Sequence, residues 1–253
     1  MADEALVDVD GNVMVITLNR PAVRNAFNRA ASQAAADAFR EFDARPDLRV
    51  AVLTGAGGTF SSGQDLRAFA DGEAAEVEGG LAGITDSPPR KPVIAAVEGY
   101  ALAGGFEVAL ACDLITAASD AVFGLPEVRR GLVSGAGGLL RLSRRIPYHT
   151  AMRLALTGAT LPAPQAYEYG LVSTLTEPGE ALEAALDLAA EIAANAPLAV
   201  IGSKEVVAGS AQWSADEAWQ RQRTIMKRAA RSADAREGAI AFTQKRPPIW
   251  RGE

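Results

Sequence analysis

The chain has 253 residues, 49% hydrophobic and 22% charged, with a net charge of −6. This composition suits one large globular domain, or a domain with an appendage, and argues against non-specific nucleic-acid binding as the main task. One cysteine, Cys112, leaves no intrachain disulfide, and one histidine, His149, leaves no multi-histidine metal site and no cysteine cluster for zinc.

Residues 5–10 and 13–18 read as two short strands around the turn Asp10-Gly11-Asn12. Asn19-Arg20-Pro21 ends the second, because proline cannot continue an inner strand. An Ala-rich helix follows through about Phe42, with Asn28 as its candidate cap. Val50–Thr54 is a third strand, so the chain opens β-β-α-β with a helical crossover that suggests parallel pairing.

Two glycine-rich turns invite a nucleotide reading and fail it. From Gly55, a G-x-G-x-x-G fingerprint needs glycine where Phe60 stands, and from Gly135 it needs glycine where Leu140 stands. A phosphate-cradling loop needs Gly-Lys-Ser/Thr, yet Gly63 is followed by Gln64. Phe60 reads instead as the start of a short strand, with Ser62-Gly63 turning into a helix at Gln64-Asp65. Residues 70–91 are acidic, rich in glycine and closed by Ser87-Pro88-Pro89, which predicts a mobile loop with a little helix.

Val93–Val97 is an apolar run that reads as a buried strand, followed by a small-residue turn and an apolar helix over 104–112. Gly104 and Gly105 stand where that helix begins, and Glu107 sits inside its apolar face, an expensive place for a carboxylate. Two readings are open at this point. One is a packing turn with a capping glutamate. The other is a helix start whose free N–H groups receive a developing negative charge. Further strands are expected at 113–117, 121–124 and 171–175, with helices at 138–145 and 149–156. Past Pro178 the pattern is helical only, with helices at 180–194, 197–207, 214–232 and 234–244. Ser214 and Glu217 form a capping box. This division suggests a core unit over 1–177 and a helical unit over 178–253.

With no histidine cluster, acid–base chemistry near neutral pH falls to His149 or to carboxylates with raised pKa values. His149 reads as a surface or capping residue. Glu107 and Glu127 both lie beside apolar or Gly/Pro-rich segments, and Ser134 lacks the G-x-S-x-G context of a nucleophile. Strand-to-helix turns at Gly63-Gln64 and Gly104-Gly105 can aim two N–H groups at one point.

At these residues the chain resembles a known family. Phe60-Ser61-Ser62-Gly63-Gln64-Asp65-Leu66, Gly99–Glu107 and Phe123-Gly124-Leu125-Pro126-Glu127 look like the signature blocks of the crotonase (enoyl-CoA hydratase/isomerase) superfamily. The opening Thr17–Pro21 with Asn25-Ala26, and the closing Phe242–Arg246, fit as well. The resemblance implies an α/β fold: a spiral of β-β-α units with a C-terminal helical trimerisation domain, assembled as a homotrimer or a hexamer of two trimers. It implies an acyl-CoA thioester substrate. The N–H groups of Gln64 and Gly104 would form the oxyanion hole, and Glu107 and Glu127 would be the two catalytic glutamates of a hydratase. Arg24, Ala26, Ser62, Gln64, Asp65, Leu66 and Arg67 would line the CoA. Phe242 and Lys245 match positions that reach a neighbouring subunit's CoA. No metal or redox cofactor is implied.

The sequence also departs from the family's common pattern. Ala103 replaces a frequent third glycine, Phe106 a small residue or cysteine, and Ser134 a proline. The Ala-Gly-Gly-Phe-Glu block with the Lys-Arg-Pro-Pro-Ile-Trp ending resembles the carnitinyl-CoA dehydratase-like branch, and Phe106 is expected to pack behind its helix. The alternatives within enzymes are an enoyl-CoA isomerase, which needs chiefly the second glutamate, or a carnitinyl-CoA dehydratase-like enzyme. The alternative outside them is a non-catalytic acyl-CoA-binding homologue. No apolar run is long enough to span a membrane, and Met1-Ala2-Asp3-Glu4 lacks a signal-peptide core, so a cytoplasmic setting is expected.

Overall fold

The computed structural model describes residues 4–253; the acidic start Met1–Asp3 lies outside the described residues. Strands β1 (Ala5–Asp10) and β2 (Val13–Leu18) form an antiparallel hairpin. Helix α1 (Arg29–Ala44) follows, capped at Asn28, whose side chain accepts from the Ala31 N–H. Its Ala31, Ala35, Ala38, Phe39 and Phe42 recur at helical spacing and are all buried. Then come β3 (Val50–Gly55), α2 (Leu66–Ala70), β4 (Val93–Val97), β5 (Tyr100–Leu102), α3 (Gly104–Ala111), β6 (Leu114–Ala118) and β7 (Val122–Gly124). The remainder is α4 (Gly138–Arg145), α5 (Tyr148–Thr157), β8 (Thr160–Pro162), α6 (Ala163–Glu168), β9 (Thr174–Thr176), α7 (Ala181–Ala193), α8 (Pro197–Ser210), α9 (Ala215–Ala230) and α10 (Ala233–Gln244).

The main sheet has the order β1-β2-β3-β4-β6-β9, parallel except for the β1–β2 hairpin. A second sheet of three strands, β5-β7-β8, stands beyond it. The mixed α/β spiral expected of the sequence is therefore present. Strand alternation sorts the main sheet's side chains between two cores. Ala51, Leu53, Ala95 and Val97 enter the large core with α1 and α3, while Val50, Val52, Ile94 and Ala96 pack on Ala185 and Ala189 of α7. Helix α7 thus lies in the stretch assigned to the helical unit 178–253 yet packs as a layer on the sheet. The Glu98 carboxylate caps its N-terminal end, accepting from the N–H groups of Gly179 (3.0 Å) and Ala181 (2.9 Å).

The later helices are tied on by a few long-range bonds. Lys204 of α8 donates to Asp113 (2.6 Å) and to the Lys91 carbonyl (2.9 Å). Ser214 and Glu217 make the expected capping box on α9. The Trp250 indole donates to the Ala194 carbonyl at 2.7 Å. Among the described residues no single helix is long and apolar enough to cross a membrane. Taken together α7 and α8 reach that composition, but they are bent by 109° and α7 is held on the sheet.

Several expectations need correction. Phe60 starts no strand: residues 61 and 64 make only isolated bridges, to Ala101 and Phe27. Helix α2 begins at Leu66 rather than at Gln64, because Asp65 is its cap and its side chain accepts from the N–H groups of Arg67 and Ala68. The expected strand 171–175 shifts to Thr174–Thr176, since the N–H groups of Leu171 and Val172 turn back to the Ala166 carbonyl and close α6. Helix α6 was not foreseen; Pro162 and Pro164 stand at its N-terminal end, where proline fits. Residues 70–91, expected as a loop with a little helix, hold one 3-10 turn, Leu81–Gly83. They contribute Ala75, Leu81, Ala82 and Ile84 to the large core. Ser32 of α1 pins this segment by accepting from the Ala82 N–H at 2.7 Å.

Candidate active site

The site forms where β3 and β4 end and the chain crosses to the next unit. The Ser61–Ala101 bridge brings the two crossovers side by side. Phe27 fixes the first, donating to the Gly63 carbonyl and accepting from the Asp65 N–H, both at 2.8 Å. Gly63 approaches the second so closely that a Cβ there would stand 2.9 Å from the Gly104 nitrogen. A Cβ on Gly104 would in turn lie 3.6 Å from the Gln64 nitrogen and 2.6 Å from Leu81 Cδ2. The N–H groups of Gln64 and Gly104 are therefore neighbours, and neither donates to a protein acceptor among the described residues. Gly104 is the first residue of α3, at the positive end of its dipole. Gln64 is not a helix start, as the sequence suggested, but a loop residue ahead of α2. Ala103 holds the turn at positive φ, φ 51° and ψ −129°, unusual for a residue with a side chain. Its N–H is anchored to the Gly124 carbonyl at 2.8 Å.

Glu107 projects from the first turn of α3 into a closed environment, with 3% of its surface exposed. Its Oε1 accepts from the N–H groups of Ala136 and Gly138, each at 2.8 Å. Burial pushes the carboxyl up to about 7; the Gly138 N–H opposes this, the Glu127 charge adds to it, and the Ala136 N–H and the Arg141 charge oppose it. Glu127 lies on a 3-10 turn, Pro126–Arg130. Burial raises its pKa too, and its Oε2 is buried with no protein partner. Two carboxyls with raised pKa values, the Glu127 charge acting on Glu107, can serve as an acid and a base.

The clamp on Glu107 is the part of the site that sequence reading missed. Gly135–Gly138 looked like a failed nucleotide fingerprint, yet the turn opens α4 and presents its N–H groups to a carboxylate. A Cβ on Gly138 would lie 2.6 Å from Glu107 Cγ and 3.0 Å from its Oε1. Gly138→Ala is therefore expected to displace the carboxylate and lower kcat about 100-fold. Steady-state kinetics on a variant shown to be folded by circular dichroism checks this. Unchanged kcat would mean that the clamp is dispensable.

The remaining expected site residues are distributed as follows. Arg24 is exposed, with its guanidinium 5.8 Å from the Tyr100 ring centre. The Ala26 carbonyl accepts from Arg20 at 2.5 Å, and Ser62 is half-buried on the same rim, its N–H donating to the Arg24 carbonyl. Asp65 pairs with Arg20 at 3.1 Å besides capping α2, so its carboxylate is already engaged. Leu66 and Arg67 are exposed on α2. Phe242, 85% exposed, and Lys245 lie near the end of α10, and among the described residues they make no backbone bond to the Gln64 or Gly104 turns. His149 is exposed beside Tyr148, and Phe106 is buried against the Phe123 ring, as expected.

Comparison with known proteins agrees with this geometry. The family model described as enoyl-CoA hydratase/isomerase matches residues 8–253. A carnitinyl-CoA dehydratase of Salmonella arizonae is 41% identical, with each chain covered in full. Among solved structures, an enoyl-CoA hydratase from Mycobacterium tuberculosis is 55% identical with a TM-score of 0.97, covering 99% of this chain and 100% of that one. A carnitinyl-CoA hydratase from Mycobacterium avium is 41% identical with a TM-score of 0.81, covering 100% of both.

Proposed function

Because the chain belongs to the enoyl-CoA hydratase/isomerase family, we propose that it is a hydro-lyase adding water reversibly across the double bond of a 2-enoyl-CoA. The observation that carries this reading is the buried Glu107 carboxyl, raised in pKa with the Glu127 charge adding to the shift, in the first turn of the helix that Gly104 opens, where the free N–H groups of Gly104 and Gln64 are neighbours. The thioester oxygen accepts from those two N–H groups, which stabilise it as it becomes an enolate oxygen. One carboxylate takes a proton from water as the water oxygen bonds to the β-carbon. The other carboxyl gives its proton to the α-carbon, and exchange with solvent water restores the pair.

The CoA would run along Arg24, Ala26, Ser62, Gln64, Asp65, Leu66 and Arg67, with Arg24 placed for a phosphate and the Ser62 carbonyl for the adenine amine. Asp65 serves this path by shaping the loop. Phe242 and Lys245 would reach the CoA of a neighbouring subunit in a homotrimer, alone or paired as a hexamer. Their exposure supports that role. The chemistry needs no metal or redox cofactor, and a cytoplasmic enzyme of acyl-CoA metabolism is the reading that fits.

The test is a panel of 2-enoyl-CoAs of increasing chain length together with crotonobetainyl-CoA, followed by loss of the conjugated thioester absorbance. Hydration of at least one straight-chain substrate is expected. Turnover of crotonobetainyl-CoA alone would move the enzyme to the carnitinyl-CoA dehydratase reading, which the identity to the Salmonella protein favours. Acyl-CoA binding without turnover of any member would overturn both.

A further inference from the structure

Arg141 lies on the inner side of α4, one turn beyond the residues that hold Glu107. It is only partly exposed, and among the described residues no carboxylate forms an ion pair with it. Its guanidinium instead spans two backbone carbonyls. Nη2 donates to Thr85 at 2.5 Å and Nη1 to Ala136 at 3.3 Å. Both carbonyls belong to segments that touch the chemistry. The Ala136 N–H is one of the two donors on Glu107 Oε1. Thr85 is 2% exposed, and its hydroxyl accepts from the Leu81 N–H at 2.8 Å. Leu81 is the side chain packed closest over Gly104. A partly desolvated guanidinium spent on two carbonyls is a costly device for fixing a turn that glycine and alanine alone would leave loose.

We propose that Arg141 is a positioning residue of this site, bridging the segment over the oxyanion turn to the turn that clamps Glu107 so that both halves keep one register. It touches no substrate itself. The proposal rests on the hydratase reading for its catalytic consequence, but its structural content is independent of any substrate.

The charges that bear on the pair are few. Asp86, Glu107 and the like charge of Arg145 face Arg141, with the neutral, buried Cys112 thiol beside them, and Glu127 and Arg141 face Glu107. Removing the guanidinium withdraws a nearby positive charge and loosens an N–H donor. Both effects disfavour the Glu107 carboxylate, so its titration moves to higher pH.

The experiment uses the full-length protein, wild type and with Arg141→Met and Arg141→Lys, labelled with 13C at the glutamate side-chain carboxyl. The Glu107 signal, assigned by its loss in Glu107→Gln, is titrated by NMR without substrate. Arg141→Met is expected to raise the Glu107 midpoint by about half a unit or more. It is also expected to lower kcat roughly 10–100-fold with acyl-CoA affinity changed less than about threefold. Arg141→Lys keeps the charge but lacks the planar fork that reaches both carbonyls, so it should recover part of the midpoint and less of kcat. A folded variant with the wild-type midpoint would overturn the proposal, as would one that loses affinity while keeping kcat. If Arg141→Met does not fold, Arg141→Lys decides: wild-type kcat and midpoint in that variant would overturn the bridging role. Should the wild type hydrate no enoyl-CoA, the hydratase reading fails while the titration still decides the role of Arg141.

Discussion

Glu127→Gln is expected to lower kcat for 2-enoyl-CoA hydration about 10²–10⁴-fold, the range for loss of a positioned acid–base group. Substrate affinity should change little. The Oε2 of Glu127 is buried without a protein partner, and the Ser134 hydroxyl that bonds the carboxylate can donate equally to an amide oxygen. An amide of the same shape fills the space but neither accepts a proton from water nor returns one. Steady-state kinetics on an enoyl-CoA substrate, with calorimetric binding of a saturated acyl-CoA, separates the two effects. Full activity in this variant would remove Glu127 from the mechanism under both the hydratase and the isomerase readings.

Glu107→Gln should lower hydration by a similar factor and, at the same time, make the protein more stable at pH 8. The carboxyl is raised from an ordinary 4.5 to about 7, chiefly by burial. Between those pH values the unfolded chain releases the proton while the folded chain keeps it, so stability falls as pH rises through that window. Above it the penalty is on the order of 3 kcal/mol. Glutamine escapes this loss, and its Oε1 can still accept from Ala136 and Gly138. Thermal melts should show a gain of several degrees at pH 8 that closes towards pH 4. A variant less stable than wild type at pH 8, or a gain independent of pH, would contradict the assignment. Retained double-bond isomerisation in Glu107→Gln with none in Glu127→Gln would identify an isomerase instead.

The features legible in the sequence were those whose chemistry is local. Gly104 announces itself because it stands with Gly105 where a strand-to-helix turn opens an apolar helix, and Glu107 because an acid within an apolar helical run demands a reason. The strand run Val93–Val97 needed only its hydropathy. Ala136 and Gly138 were hidden for the opposite reason. Their role is a contact with a residue on another helix, and nothing in Gly-Ala-Gly-Gly distinguishes a carboxylate clamp from a flexible turn. The core contribution of residues 70–91 was not foreseen because polarity and glycine dominate their composition. A handful of apolar side chains, Leu81 and Ile84 among them, decides where the segment goes. The capping behaviour of Asp65 moved the start of α2 by two residues, which hydropathy alone does not resolve.

The adjacency of Gln64 and Gly104 has a consequence for how activity is acquired during folding. Each N–H is carried by a different crossover, one after β3 and one after β4, and the Ser61–Ala101 bridge between them is a distant contact along the chain. Such contacts are closed late, after local helices and the hairpin have formed, because loop closure must precede the reward. A partly folded chain can therefore carry most of its secondary structure without bringing these two N–H groups together. On refolding, thioester turnover should return with the slow formation of the parallel β3–β4 pairing rather than with the earlier rise in helical signal.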